Sequence, residues 1–363
     1  MGITKNIYFK GLNGIRALAA LIVVIWHIGQ NSTLLNIDSV GFNKNGMAGN
    51  AVLMFFVLSG FLITYLLLIE KERTKSIDIK SFYLRRIFRI WPLYYLSIII
   101  SIILIYLDII PPPEDLSTSL ILYIFLLANV AYGLKITLSS ITPLWSVGAE
   151  EQFYLIWPVI VKKTSNYLLT FASLILLYLI TKLVVYITLT PKSMVYMVIS
   201  KTNIDIMCIG AIGAYLVYSK NKILKVLYRK EIQLISWGIL ITSIFYKPIH
   251  IYSFIDGELN SIFYLIIILN VSTNKDTIIS LENKFFNFIG RISYGIYIYH
   301  MIVIYIVSYQ LKCLGLKLDI IIVHLLVLLL TILTSWISYE YFEKPFLNMK
   351  SKYTIVTSSN SSN

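Results

Sequence analysis

Eleven apolar runs dominate the chain, near residues 12–28, 47–69, 88–108, 118–133, 145–161, 167–190, 202–219, 231–247, 258–273, 292–309 and 318–342. About 20 apolar residues are what an α-helix needs to cross the hydrocarbon of a bilayer. Lipid offers the backbone no hydrogen-bond partner, so only helices and closed barrels cross it. Barrel strands read as short alternating segments, whereas these runs are continuous. The fold class that follows is all-α and polytopic. Composition excludes the alternatives. Hydrophobic residues make up 58% of the 363 residues and charged residues 13%, against roughly 45–50% and 25% in a soluble domain. A chain of this size has no way to hide so much apolar surface from water, and it is too apolar to stay disordered.

The net charge of +13 would suggest nucleic-acid binding in a soluble protein. Here the basic residues sit between apolar runs, which is the pattern of cytoplasmic loops, so a lipid bilayer and not nucleic acid is the expected partner. The two cysteines, Cys208 and Cys313, lie in or beside apolar stretches, which argues against a disulfide framework and a metal site. Lys5 and Lys10 precede the first run and no small-residue cleavage site follows His27, so the first run reads as an uncleaved span.

Loop charge constrains the number of crossings. Residues 70–89 hold Lys71, Arg73, Lys75, Lys80, Arg85, Arg86 and Arg89, and residues 219–230 hold Lys220, Lys222, Lys225, Arg229 and Lys230. Both stretches should be cytoplasmic, which requires an even number of crossings between them, yet five runs intervene. The weakest is 145–161, with Glu150 and Glu151 at its middle and Lys162 and Lys163 directly after it. A carboxylate at the bilayer centre costs at least about 2.5 kcal/mol. The expectation is therefore about ten transmembrane helices plus one re-entrant or cavity-lining segment at 145–161, with both termini cytoplasmic. Residues 1–347 then form one membrane domain and 348–363 a short polar cytoplasmic tail.

Polar residues inside the runs are the functional candidates. Arg16 and His27 are eleven residues apart, almost three helical turns, so they share a face about 16 Å apart along the axis. Arg16 either serves function or snorkels to the inner surface; His27 either serves function or is an interfacial His beside Trp26. Ser59-Gly60 suits close helix packing by small residues, since no strand–turn–helix context makes a hydrolase elbow there. Arg85, Arg86 and Arg89 stand beside Phe88, Trp91 and Pro92, and the spacing of Arg85 and Arg89 puts both on one helical face. They are either a topology signal with an aromatic belt or an anion site, because guanidinium forks suit phosphates. Asp205 opens a glycine-containing run that suggests a tight helix contact. Ser293, Tyr297 and His300 recur at i, i+4 and i+7 and share one face. A His in lipid needs a partner, and satisfied packing and function both fit this group. His250 and His324 receive no role.

Taken together, these residues resemble the acyltransferase family 3 integral membrane proteins, the O-antigen acetylase-like group, from Gly11 to about Phe346. The carriers are Arg16 and His27 with ten residues between them, Phe55-Phe56-Val57-Leu58-Ser59-Gly60-Phe61, Arg85 through Pro92, Pro143-Leu144-Trp145-Ser146 through Tyr154, Ser293 through Tyr297 with His300, and Glu343-Lys344-Pro345-Phe346. Two departures stand out: Asn203 precedes Asp205 where members often carry Arg, and Val147-Gly148-Ala149 replaces a common Leu-Ser-Val. Some members append an esterase-like domain, and this chain ends about twenty residues after 336–342, so none is expected here.

The resemblance implies transfer of an acyl group, usually acetyl, from cytoplasmic acyl-coenzyme A to a hydroxyl of a cell-surface or lipid-linked carbohydrate, in the cytoplasmic membrane. On it His27, Arg16 and Glu150 are the catalytic candidates. His27 acts as general base, since an imidazole of pKa about 6.5 takes a proton at neutral pH, or as acyl relay. Glu150 orients His27 or balances Arg16. Arg85, Arg86, Arg89, Ser293, Tyr297 and His300 are the donor-binding candidates. The rival reading is a transporter or flippase for a glycan precursor, which ten spans and intramembrane charges also suit.

Overall fold

The computed structural model describes residues 7–38, 47–189, 193–246 and 249–354. Lys5, the last residues of the 167–190 and 231–247 runs, and 355–363 of the tail lie outside them. Every regular element among the described residues is helical. The first three helices are α1 (Leu12–Gln30), α2 (Met47–Thr74) and α3 (Ile79–Tyr106). Short helices α4 (Leu116–Ile124) and α5 (Ala128–Gly133) follow, then α6 (Leu144–Lys163), α7 (Tyr167–Thr188), α8 (Met194–Thr202) and α9 (Ile204–Tyr218). The rest are α10 (Leu224–Leu227), α11 (Lys230–Phe245), α12 (Asp256–Thr273), α13 (Lys284–Arg291), α14 (Ser293–Cys313), α15 (Ile320–Ser338) and α16 (Lys344–Ser351), the last two joined by a π-turn at Tyr339–Glu343. The polar residues that punctuate the apolar runs cap the helices. Asp78, Asp115, Asn166, Ser193, Asn283 and Asp319 each accept a backbone N–H of the first turn that follows, satisfying donors that the helix start leaves open.

Among the described residues, seven helices are long and apolar enough to cross a membrane: α1, α2, α3, α7, α8 with α9, α14, and α15 with α16. This establishes a polytopic helical chain. The run 118–133 is not one span. It breaks at Leu126, whose φ of 62° is left-handed, into helices of nine and six residues. Hydropathy alone did not reveal the break. The 145–161 run, expected to be re-entrant or cavity-lining, is part of the continuous 20-residue α6, which lines a cavity with Ser146, Glu150 and Tyr154. Gly148 makes the fit: a β-carbon there would lie 2.9 Å from the Leu126 carbonyl oxygen.

The basic ends converge as the loop charges suggest. Lys71 donates to the Val161 and Thr164 carbonyls at 3.0 Å each, and Lys162 donates to the Ile77 carbonyl at 3.0 Å. The end of α6 therefore sits with the α2–α3 turn. Small residues set the closest crossing, as their motifs indicate. Gly60 of α2 faces the Met207 carbonyl and Gly210 of α9 faces the Val57 carbonyl, with no room for a β-carbon at either. The described part of 348–363 is not free: α16 runs along α3, the Tyr353 carbonyl accepts from Arg85 at 2.8 Å, and its ring stacks on Phe88.

Candidate active site

Three helices bring cations to one place. Arg16 from the first turns of α1, Arg86 and Arg89 from α3, and Lys350 from α16 all line one cavity. Arg86 and Arg89 share a face because they are three residues apart. Lys350 arrives because the π-turn at Tyr339–Glu343 redirects the chain after α15; such turns bend helices at functional sites. The remaining wall comes from α2 (Phe55, Ser59), α6 (Ser146, Glu150, Tyr154) and α14 (Ser293, Tyr294, Tyr297). The cavity encloses about 980 Å³, open space at its mouth included.

Glu150 is the one carboxylate among the lining residues, and it is held by neutral donors. The Ser59 hydroxyl donates to Oε1 at 2.9 Å and the Tyr154 hydroxyl to Oε2 at 2.8 Å. Four cations against one carboxylate leave the lining positively charged. Arg86 lies over the Tyr154 ring, 5.7 Å from its centroid, and its Nε is buried with no hydrogen-bond partner. A cavity of this make-up attracts anions, and its guanidinium forks match phosphate oxygens.

Arg85 faces elsewhere. Its Nη2 pairs with Glu70 at 2.9 Å, and the pair is buried. It ties α3 to α2 and to the Tyr353 carbonyl rather than lining the cavity. The four-residue spacing pointed to Arg85 with Arg89; the cavity instead takes Arg86 with Arg89, because Glu70, from another helix, holds Arg85.

The histidines stand beyond the inner wall of this cavity. Tyr297 lines it, accepts or donates a 2.7 Å hydrogen bond with Ser146 Oγ, and packs 5.9 Å from the His300 ring. His300 in turn lies 4.9 Å from the His27 ring, centroid to centroid. The sequence candidates on α1 and α14 are thus brought together as an imidazole pair. Neither ring is among the lining residues of the cavity. Each offers its Nδ1 to a backbone carbonyl four residues earlier, Val23 at 2.9 Å for His27 and Ile296 at 3.2 Å for His300. A carbonyl only accepts, so Nδ1 carries the proton and Nε2 is the basic nitrogen. The Nε2 of His300 is buried and has no partner. Glu150 is hydrogen-bonded to Ser59 and Tyr154, and His27 takes its orientation from the Val23 carbonyl. Ser293 donates to the Gly290 carbonyl at 2.8 Å and forms part of the cavity wall.

The sequence reading gave no site role to four further polar side chains. Ser59 and Tyr154 hold Glu150, and Lys350 completes the cation ring. The fourth, Lys182, bridges Asp205 at 2.6 Å and Glu258 at 2.8 Å in a buried triad. It supplies the cation that Asn203 does not, from a different helix. A lone lysine within the run 167–190 was its available signal.

The fold and site define a polytopic helical membrane protein with a cation-lined cavity backed by paired imidazoles. The chain belongs to the acyltransferase family described as "Acyltransferase domain", which matches residues 9–340. Among its relatives, O-acetyltransferase OatA of Staphylococcus aureus (strain NCTC 8325 / PS 47) is 27% identical over 93% of this chain and 57% of its own length. Putative O-acetyltransferase SAR0937 of S. aureus (strain MRSA252) is 29% identical over 96% of this chain and 60% of its own. Putative O-acetyltransferase SACOL0978 of S. aureus (strain COL) is 29% identical over 94% and 58%. The chain thus spans little more than half the length of the curated relatives it matches. No solved structure matches it significantly.

Proposed function

We propose that this chain is a membrane O-acyltransferase of the cytoplasmic membrane. It takes an acyl group, acetyl in the simplest case, from acyl-coenzyme A and passes it to a hydroxyl of a cell-surface or lipid-linked carbohydrate. One observation carries the reading: Arg16, Arg86, Arg89 and Lys350 surround a cavity whose lining has a single carboxylate, Glu150. Coenzyme A bears phosphates, and these side chains are the natural counter-charges. The family and the names of its relatives support the acyl chemistry.

Sidedness follows from charge. The Lys71–Lys162 end is cytoplasmic, and α6, α11 and α12 cross together with the seven long apolar helices. That makes ten crossings with both termini inside. The donor then enters from within, on the side of the Arg16, Arg86, Arg89 and Lys350 cluster, and its thioester must pass Tyr297 and His300 to reach His27, which near the far end of α1 meets an acceptor from outside.

His27 acts through Nε2 by one of two balanced routes. As general base, Nε2 takes the acceptor hydroxyl proton while that oxygen attacks the thioester carbonyl. The C–S bond breaks, and the departing thiolate recovers the proton from the imidazolium. As relay, Nε2 attacks the carbonyl and coenzyme A leaves as thiolate; the acyl-imidazolium then passes its acyl group to the hydroxyl, whose proton ends on that thiolate. His300, at 4.9 Å between ring centroids, positions His27 in either route.

The test is transfer from labelled acetyl-CoA by purified protein. His27→Ala should abolish it, and full activity in that variant removes His27 from the chemistry. Movement of a glycan precursor with no affinity for acyl-CoA would favour a transporter instead.

A further inference from the structure

A second cavity opens at the other end of the bundle, and nothing in the first site uses it. It is lined by the start of α2 (Asn50, Leu53), by Lys182, by Lys201 and Asn203 at the α8–α9 junction, and by Glu258 of α12, with Trp145 of α6 as floor. It encloses about 1,470 Å³, open space at its mouth included.

Two of its side chains are unspent. Glu258 is 5% exposed; its Oε1 accepts from Lys182 at 2.8 Å, while its Oε2 is buried without a hydrogen-bond partner. Lys201 makes no hydrogen bond or ion pair among the described residues; its ammonium lies 4.7 Å from the Trp145 ring centroid and 5.3 Å from that of Tyr132. The aromatic rings hold the cation in place without neutralising it. Lys182 differs, since Asp205 and Glu258 already satisfy it.

An acceptor oxygen beside an unpaired cation, over an aromatic floor, suits a sugar that carries both hydroxyls and a negative charge. Adjacent residues of α6 line the two cavities: Trp145 belongs to the second, and its neighbour Ser146 belongs to the first and is bonded to Tyr297.

We propose that this second cavity holds the acceptor, and that the acceptor is an anionic carbohydrate whose carboxylate or phosphate seats on Lys201 while a hydroxyl donates to Glu258 Oε2. The acceptor role rests on the acyltransferase reading above; the saccharide site does not.

The test reads binding separately from chemistry. Ser253 is exposed and lines the cavity. In a Cys313→Ser background, Ser253→Cys is labelled in intact cells with a membrane-impermeant maleimide. Methyl β-D-glucuronide, glucose 6-phosphate and neutral methyl β-D-glucoside are compared as protectants. Expected are labelling from outside, protection by at least one anionic sugar, and at least ten-fold weaker protection when Lys201→Gln is added. The two anionic arms distinguish carboxylate from phosphate. Glu258→Gln, which keeps an oxygen for Lys182, should weaken protection by all three sugars. Equal protection by the neutral glucoside, unchanged protection in Lys201→Gln, or no labelling from outside would overturn the proposal. Protection by an anionic sugar in a protein that transfers no acetyl group would overturn the acceptor role alone.

Discussion

Gly60→Ala should separate α2 from α9 and disable the site next to it. A β-carbon at residue 60 would stand 1.9 Å from the Met207 carbonyl oxygen, 2.7 Å from its carbon and 2.9 Å from its Cα. All three are backbone atoms of α9, so no rotamer change relieves the clash. Ordinary contact begins near 3.4 Å, so the helices must part by about 1.5 Å along that line. Overpacking of this kind costs typically 1–3 kcal/mol. The neighbouring Ser59 holds Glu150 at 2.9 Å, and a displacement of about 1 Å in a catalytic constellation is worth on the order of 100-fold in rate. The purified variant should therefore melt several degrees lower in detergent and lose on the order of 100-fold in acyl transfer. Gly238→Ala is the control, because nothing lies within 4 Å of a β-carbon there and α11 should gain from alanine's higher helix propensity. If Gly60→Ala melts and turns over like Gly238→Ala, the backbone crossing does not set the position of Glu150 and the reasoning fails.

Other perturbations read other parts of the site. Ser59→Ala removes a charge-assisted hydrogen bond worth about 1.5–3 kcal/mol, so kcat/KM for acetyl transfer should fall about ten-fold or more while Ser59→Thr retains most of it. Lys350→Ala should raise the KM for acetyl-CoA by about ten-fold with little change in kcat, by loss of one charged contact; an unchanged KM and unchanged salt dependence would take Lys350 out of donor binding. Outside the spans, Glu282 accepts from Tyr8, from the Gly11 N–H at 2.5 Å and from Asn287 at 2.7 Å. Burial alone would raise its carboxyl, but these donors outweigh burial and hold it below the usual carboxylate range. Its stabilisation is therefore present above the unfolded-state pKa and disappears as pH falls through the lower folded value. The melting temperature should drop between about pH 5 and pH 3, and less steeply in Glu282→Gln.

Much was legible in the sequence because lipid leaves few choices. Continuous apolar length, capped by polar residues, dictates membrane helices, and the 3.6-residue period alone put Arg16 and His27 on one side of α1. The same period placed Ser293, Tyr297 and His300 on one side of α14, and the family motifs named nearly every helix that lines the cavity. Three matters were left to tertiary structure. Arg85 went to Glu70 while Arg86 and Arg89 went to the cavity; the period pointed to Arg85 with Arg89, and the deciding carboxylate sits on another helix. Lys350 reads as part of a polar tail until a π-turn folds α16 back along α3. His27 and His300 are 273 positions apart yet their rings lie 4.9 Å from each other, a pairing that only the packing of α1 against α14 creates. Periodicity along one helix says which residues share a side; which neighbour that side meets is a matter of how helices distant in sequence pack, and no local pattern encodes it.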